Sequence, residues 1–171
     1  RDIKHLEESA RRTAEWSAKA EKGKLTKVST IYLSEETKEN QKYFYGSEMY
    51  VTNGRLVIIY ENYSNKNYSL AKIFDITKPE DPKILREVSQ SGSYLSSRVI
   101  GGKIYLFTNE YMYGNPNEGD KCSYVPCTSI DGDAPTPIDE ANIYMFDGEV
   151  NRSYLTAISV DLTTGNIIDS K

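Results

Sequence analysis

Residues 51–59 read Val-Thr-Asn-Gly-Arg-Leu-Val-Ile-Ile, and residues 99–107 read Val-Ile-Gly-Gly-Lys-Ile-Tyr-Leu-Phe. Moving the first stretch forward by 48 positions, from Gly54 to Gly102, keeps the glycine, the basic residue after it and four consecutive apolar residues, and brings Tyr63 onto Tyr111. A second pair, Ala71-Lys-Ile-Phe-Asp75-Ile-Thr77 and Ala157-Ile-Ser-Val-Asp161-Leu-Thr163, repeats at 86 positions. The difference of 38 is about the length of the polar segment from Met112 to Glu149, so the second unit reads as the first with one long insert at 112–149. Asn53-Gly54 and Gly101-Gly102 each place at a turn centre two residues that tolerate positive φ, which a two-residue β-hairpin requires.

Outward from these turns the grammar is that of strands. Residues 25–33, 49–63, 69–76, 84–88, 94–109 and 154–162 are rich in β-branched and aromatic residues and are separated by turn-forming runs such as 77–82. Self-similar units of 40 to 50 residues, each built of short strands, mark β-propeller blades, a pattern that a sandwich does not predict. The expected fold is all-β: about two blades of an incomplete ring over 25–171, with part of a third from the strand near residue 25. A ring normally needs at least four blades, so the chain is expected to be a fragment. Its open faces would then be covered by further blades, another copy or an N-terminal helix. That helix is expected over 3–21, where Ile3, Leu6, Ala10, Ala14 and Ser17 make a narrow apolar stripe. Residues 1–24 are therefore set apart, as a helix packed on one edge or as a linker that orders only in context.

The run 71–109 resembles a bacterial family of secreted proteins with a C-terminal β-propeller domain. The resemblance rests on the turn residues Asp75, Ile76, Thr77, Pro79 and Pro82. It extends through Ser91, Gly92, Tyr94, Ser97 and Arg98, then Ile100, Gly101, Tyr105 and Leu106. It continues through residues 48–60, Tyr124-Val125-Pro126 and 156–162, and covers about 45–171. It implies export and a noncatalytic propeller, and it carries over no catalytic residue. Asp75, Pro79, Pro82, Gly92, Tyr94, Ser97, Arg98, Gly101 and Asp161 are expected to serve structure. For Ser97 and Arg98 that means hydrogen bonds to backbone or to an acidic group between blades, the rival being carboxylate binding by Arg98.

Composition narrows the function classes. Lys+Arg 21 against Asp+Glu 25 gives a net charge of −4 without a basic run, which argues against nucleic acid. No apolar stretch reaches the roughly 20 residues of a membrane-spanning helix, and the first residues lack the apolar segment of a signal peptide. A signal or anchor is accordingly expected to lie outside this chain. Fourteen Tyr against four Phe suit strand faces that are half buried, the ring packing while the hydroxyl reaches water.

Candidate chemistry concentrates in the insert. Cys122 and Cys127 suit a local disulfide in an exported protein. Zinc would need four ligands, and the single histidine, His5, is remote. The insert's Asn, Asp and Glu residues supply oxygen ligands, yet neither 115–120 nor 131–140 has the calcium-loop pattern. No metal or cofactor is expected, and no motif singles out a catalytic pair. Tyr111, Tyr113, Tyr124, Asp131 and Asp133 are the candidate ligand surface. The expected function is a noncatalytic secreted or cell-surface module that uses the insert to bind a protein or other ligand. The alternatives are a glycan-binding or glycan-cleaving propeller and a structural spacer. The partner is expected to be a protein or glycan at the cell surface, with neither nucleic acid nor membrane insertion involved. As an isolated chain it is expected to self-associate, and to keep its fold when the insert is removed.

Overall fold

The computed structural model describes residues 17–21, 24–31, 44–62, 67–113, 116–145 and 153–171. Two antiparallel meanders form the body. The first runs β3 (Phe44–Thr52), β4 (Arg55–Asn62), β5 (Tyr68–Asp75) and β6 (Lys83–Ser91), in that spatial order. The second runs β7 (Ser93–Ile100), β8 (Lys103–Tyr111), β11 (Ser153–Asp161) and β12 (Ile167–Ser170). Each is the four-stranded sheet that the repeat predicts for one blade.

Both expected hairpins form. Thr52 pairs with Arg55 and Ile100 with Lys103, with Asn53 (φ 45) and Gly54 (φ 71) in the left-handed region that this turn demands. The repeat extends to single hydrogen bonds. Ile76 N–H donates to Gly54 O at 2.9 Å, and Leu162 N–H donates to Gly102 O at 2.9 Å. Asp75 Oδ1 caps the following turn through Thr77 N (2.9 Å), and Asp161 Oδ1 does the same through Thr163 N (2.8 Å).

Alternation along the strands determines how the sheets stack. Val57, Ile59, Ala71 and Ile73 leave one face of the first sheet and pack with Ile104, Leu106, Ile158 and Val160 of the second. Leu56, Ile58, Tyr60, Leu70 and Phe74 leave the opposite face and pack with Ile31. β4 is thus covered on both sides, which is why Leu56–Tyr60 is an unbroken buried run rather than an alternating one.

Ile31 follows β2 (Lys24–Ser29), which pairs with β1 (Ser17–Glu21) as a separate hairpin. This unit stands to the first sheet as β6 stands to the second. Ser29 Oγ donates to Pro79 O at 2.7 Å. At the position 86 residues on from Pro79, Gly165 lies so near β6 that a Cβ there would be 2.5 Å from Arg86 Cβ. Two residues beyond each contacted side chain, Ile31 and Val88 are both buried in the adjoining core. The strand expected near residue 25 therefore forms as β2 and leads into Ile31, which packs on the first sheet.

Two expectations are corrected. Ser17–Glu21, read as the end of a helix over 3–21, is a strand, and the remainder of that helix lies outside the described residues. A narrow apolar stripe gives an isolated helix little to bury, whereas the hairpin satisfies its backbone groups through the Glu21 to Lys24 register. The insert, in turn, is more than a loop. It forms β9 (Cys127–Ile130) and β10 (Thr136–Pro137), and β9 pairs with β6, extending the first sheet to six strands in the order β10-β9-β6-β5-β4-β3. A segment leaving the second sheet thus covers the edge of the first. Among the described residues the only helical segments are two single 3-10 turns, Lys121–Ser123 and Glu140–Asn142.

Candidate functional site

The insert, the start of β7 and the end of β8 enclose a cleft of about 1020 Å³. Its walls are Asn67 and Tyr68 entering β5, Gly92–Leu95 at the passage between sheets, Asn109–Tyr113 at the end of β8, and Asp120, Cys122, Ser123 and Pro135 of the insert. Gly92 is held against the backbone of Asn109, where a Cβ would lie 2.8 Å from Asn109 O. Tyr111 and Tyr113 stand at the rim with ring centroids 4.6 Å apart and planes tilted by 56°. Tyr113 is 84% exposed and Tyr111 51%, so both rings offer surface to a ligand.

A buried polar chain leads to Glu110 of the cleft. Gln90 donates from Nε2 to Thr108 Oγ1 at 2.7 Å and to Thr156 O at 2.9 Å, and Thr108 Oγ1 donates to Ser91 O at 2.7 Å. Ser91 Oγ donates to Glu110 Oε2, and Cys127 N–H donates to Ser91 Oγ at 2.9 Å. Glu110, 7% exposed, is therefore tied to the insert through one hydroxyl. Burial, then the charges of Glu110 and Asp120, push the Tyr68 phenol above its ordinary value. The cleft's described lining contains no lysine or arginine.

The insert is anchored at several points. Cys122 and Cys127 form a disulfide. Asp120 accepts from Cys122 N–H at 3.0 Å. Asp131 accepts from Glu87 N–H at 2.8 Å and pairs with Arg86 at 2.6 Å. Burial raises the Asp131 pKa, but the Glu87 N–H and Arg86 outweigh it and hold the carboxyl below its ordinary value. Tyr154 Oη donates to Tyr124 O at 3.1 Å.

The candidate ligand residues thus separate. Tyr111 and Tyr113 line the cleft. Tyr124 receives Tyr154, Asp131 pins the insert to β6, and Asp133 sits in the turn after β9, where its N–H donates to Ile130 O at 2.9 Å. Sequence reasoning missed Asn67, Tyr68 and Glu110 as cleft residues and weighed Asp120 only among the insert's oxygen ligands. The alternation Ile104, Leu106, Thr108 was the available signal that Glu110 faces inward.

A second cluster joins the first strands of the two sheets. Ser97 Oγ donates to Glu48 Oε2 at 2.9 Å, Tyr50 Oη donates to the same carboxylate, and Tyr50 Oη lies 3.0 Å from Ser97 O. Tyr94 Oη lies 3.0 Å from Ser97 Oγ. Tyr50 above all, then Ser97, hold Glu48 below its ordinary value, while burial first and then Glu48 raise Tyr50. Arg98 Nη1 donates to Ser97 O at 2.8 Å. Ser97 thus bonds an acid of the other sheet, and Arg98 bonds the backbone of its own neighbour. Pro79 and Pro82 shape the turn before β6, and Gly101 the turn before β8.

Among the described residues, no group of three or more His, Cys, Asp or Glu is placed to hold a metal ion, and no helix is long and apolar enough to cross a membrane. A family model described as a beta propeller domain matches residues 9–171. No curated protein and no solved structure matches the chain.

Proposed function

The chain belongs to the beta propeller domain family, and on that premise we propose that it is a noncatalytic binding module of an exported, cell-surface protein, with the cleft under the insert as its ligand site. The supporting observation is the cleft itself, whose size falls at the upper end of small-ligand sites. Two tyrosines exposed at its rim, one ending β8 and one just beyond it, are placed for contact rather than for core packing. The Cys122–Cys127 disulfide suits an oxidising compartment.

The noncatalytic reading draws on the Glu48 cluster. A carboxylate held below its ordinary value is a weak base, and burial keeps the phenols of Tyr50 and Tyr94 protonated, so Ser97 has no effective activator beside it. In the cleft, Glu110 is engaged by Ser91.

Capture of cell-surface material by the chain tests the proposal. The Tyr111→Ala/Tyr113→Ala variant should lose that capture while its thermal melting is unchanged. Undiminished capture by the variant rejects the cleft as the site.

A further inference from the structure

The polar atoms that the fold leaves unbonded in the cleft narrow its ligand, given that the cleft is the binding site proposed above. Glu110 contributes nothing to that choice, because it is nearly buried and Ser91 already donates to it. Asn109 accepts from Ser153 Oγ through Oδ1 at 3.0 Å, and its side-chain N–H groups bond no described residue. Asn67 donates from Nδ2 to Ser93 Oγ at 3.3 Å, and its Oδ1 has no described partner. Asp120 caps the Cys122 N–H through Oδ1, and its Oδ2 bonds no described residue. The Tyr68 phenol, also in the wall, has no hydrogen bond to a described residue. The wall thereby offers both donors and acceptors, mostly on uncharged groups, while Tyr111 and Tyr113 offer open ring surface at the rim. An anion finds no lysine or arginine in the described lining. A peptide adding to a strand edge needs a row of backbone donors, and in the β7 wall the Tyr94 N–H already donates to Glu61 Oε1 at 2.8 Å.

We infer that the cleft binds a neutral oligosaccharide of pyranose units whose hydroxyls are equatorial. Such a sugar carries groups around its edge that both donate and accept, and its faces are C–H surface. A face lies on Tyr111 and Tyr113, whose ring planes, tilted by 56° with centroids 4.6 Å apart, make an angled shelf rather than a slot for a flat aromatic ligand. Hydroxyls donate to Asp120 Oδ2 and Asn67 Oδ1, and accept from the amide of Asn109 and the phenol of Tyr68. The disulfide then has a functional consequence. Cys122 and Asp120 belong to one turn, so the crosslink to Cys127 keeps that acceptor in place in the cleft wall.

The test is titration calorimetry with three probes: the β-1,4-linked glucose tetramer, the corresponding glucuronate tetramer, and N-acetyltyrosinamide. The glucose tetramer should bind about tenfold more tightly than either of the others. Asp120→Asn keeps an oxygen that caps Cys122, and Tyr113→Ala removes a ring that is 84% exposed, so both variants should melt with the native protein. Each should weaken binding of the glucose tetramer by about tenfold. Equal binding of the glucuronate overturns the preference for a neutral ligand, and equal binding of N-acetyltyrosinamide overturns the saccharide. Native affinity in either variant overturns the placement of the sugar, and absence of binding by all three probes overturns the ligand class. The module reading is decided separately by capture of cell-surface material. Loss of capture in Tyr111→Ala/Tyr113→Ala without saccharide binding keeps the cleft as the site of another ligand, whereas undiminished capture rejects the cleft and the saccharide with it.

Discussion

Arg55, at the start of β4, reaches across the blade boundary and donates from Nε to the carbonyl oxygen of Leu162 at 3.0 Å. The same guanidinium pairs with Asp75 at 3.0 Å and donates to Gly54 O at 3.2 Å. One side chain thus connects the first blade's hairpin turn, its Asp-Thr turn and the matching turn of the second blade. Arg55→Ala should destabilise the fold by about 1–3 kcal/mol, since it strands carbonyl acceptors and removes an ion pair that is only partly exposed. Arg55→Lys should recover little, because an ammonium lacks the planar fork that serves these acceptors together. Urea unfolding monitored by tyrosine fluorescence gives both numbers.

The Cys122–Cys127 crosslink closes a short loop, so its removal should reduce global stability by only about 2 kcal/mol. The local effect should be larger in kind. In Cys122→Ser/Cys127→Ser, amide exchange should accelerate over 117–130, and β9 should lose protection before β5 does. Hydrogen exchange read by mass spectrometry resolves these segments.

The bond network of Glu48 predicts acid sensitivity at the blade junction. Hydrogen bonds, chiefly from Tyr50 and then from Ser97, hold its carboxyl below the ordinary 4.5. Its folded pKa therefore lies under its unfolded one, so the stabilisation is complete above 4.5 and is lost as pH falls through the folded value. The Glu48→Gln variant should show a shallower fall in melting temperature below that pH than the native chain. Equal slopes in thermal scans across the acid range would remove Glu48 from this role.

The second blade repeats the first blade's stacking face without a neighbour among the described residues. Positions 48 on from Val57 and Ile59 are Tyr105 and Phe107, which are only half buried, and Ile100 and Leu155 beside them are 63% and 67% exposed. Tyr50, which reaches the second blade, has Arg98 as its counterpart on this face. Such a surface associates in isolation. Light scattering should give a mass above the monomer, and Ile100→Lys/Leu155→Lys should lower it to the monomer value. A monomeric native chain would contradict this.

The stacking was legible in the sequence because it is written in local alternation. Asn53-Gly54 and Gly101-Gly102 fix the turns, and a period of two then assigns each apolar residue to a face. β9 was not legible, because Cys127–Ile130 lies among turn-forming residues and gains its strand only by pairing with β6, some forty positions earlier. The anchoring of Asp131 was not legible for a related reason: its partner Arg86 is 45 residues away. Ser17–Glu21 has helix-forming composition, and only its pairing with Lys24–Ser29 overrides that preference. Half of the candidate surface, Tyr111 and Tyr113, was visible as exposed aromatics beside the insert. Of the cleft's two acids, Asp120 was visible only among the insert's oxygen ligands, and Glu110 was not singled out.

Methyl NOEs test the two-blade account most directly. Cross-peaks should connect Val57, Ile59 and Ile73 with Ile104, Leu106 and Ile158, while Leu56 and Ile58 should show them to Ile31 instead. Finding Leu56 and Ile58 against Ile104 and Leu106, or backbone pairing of β4 with β8, would mean that the two stretches do not stack as successive copies of one unit.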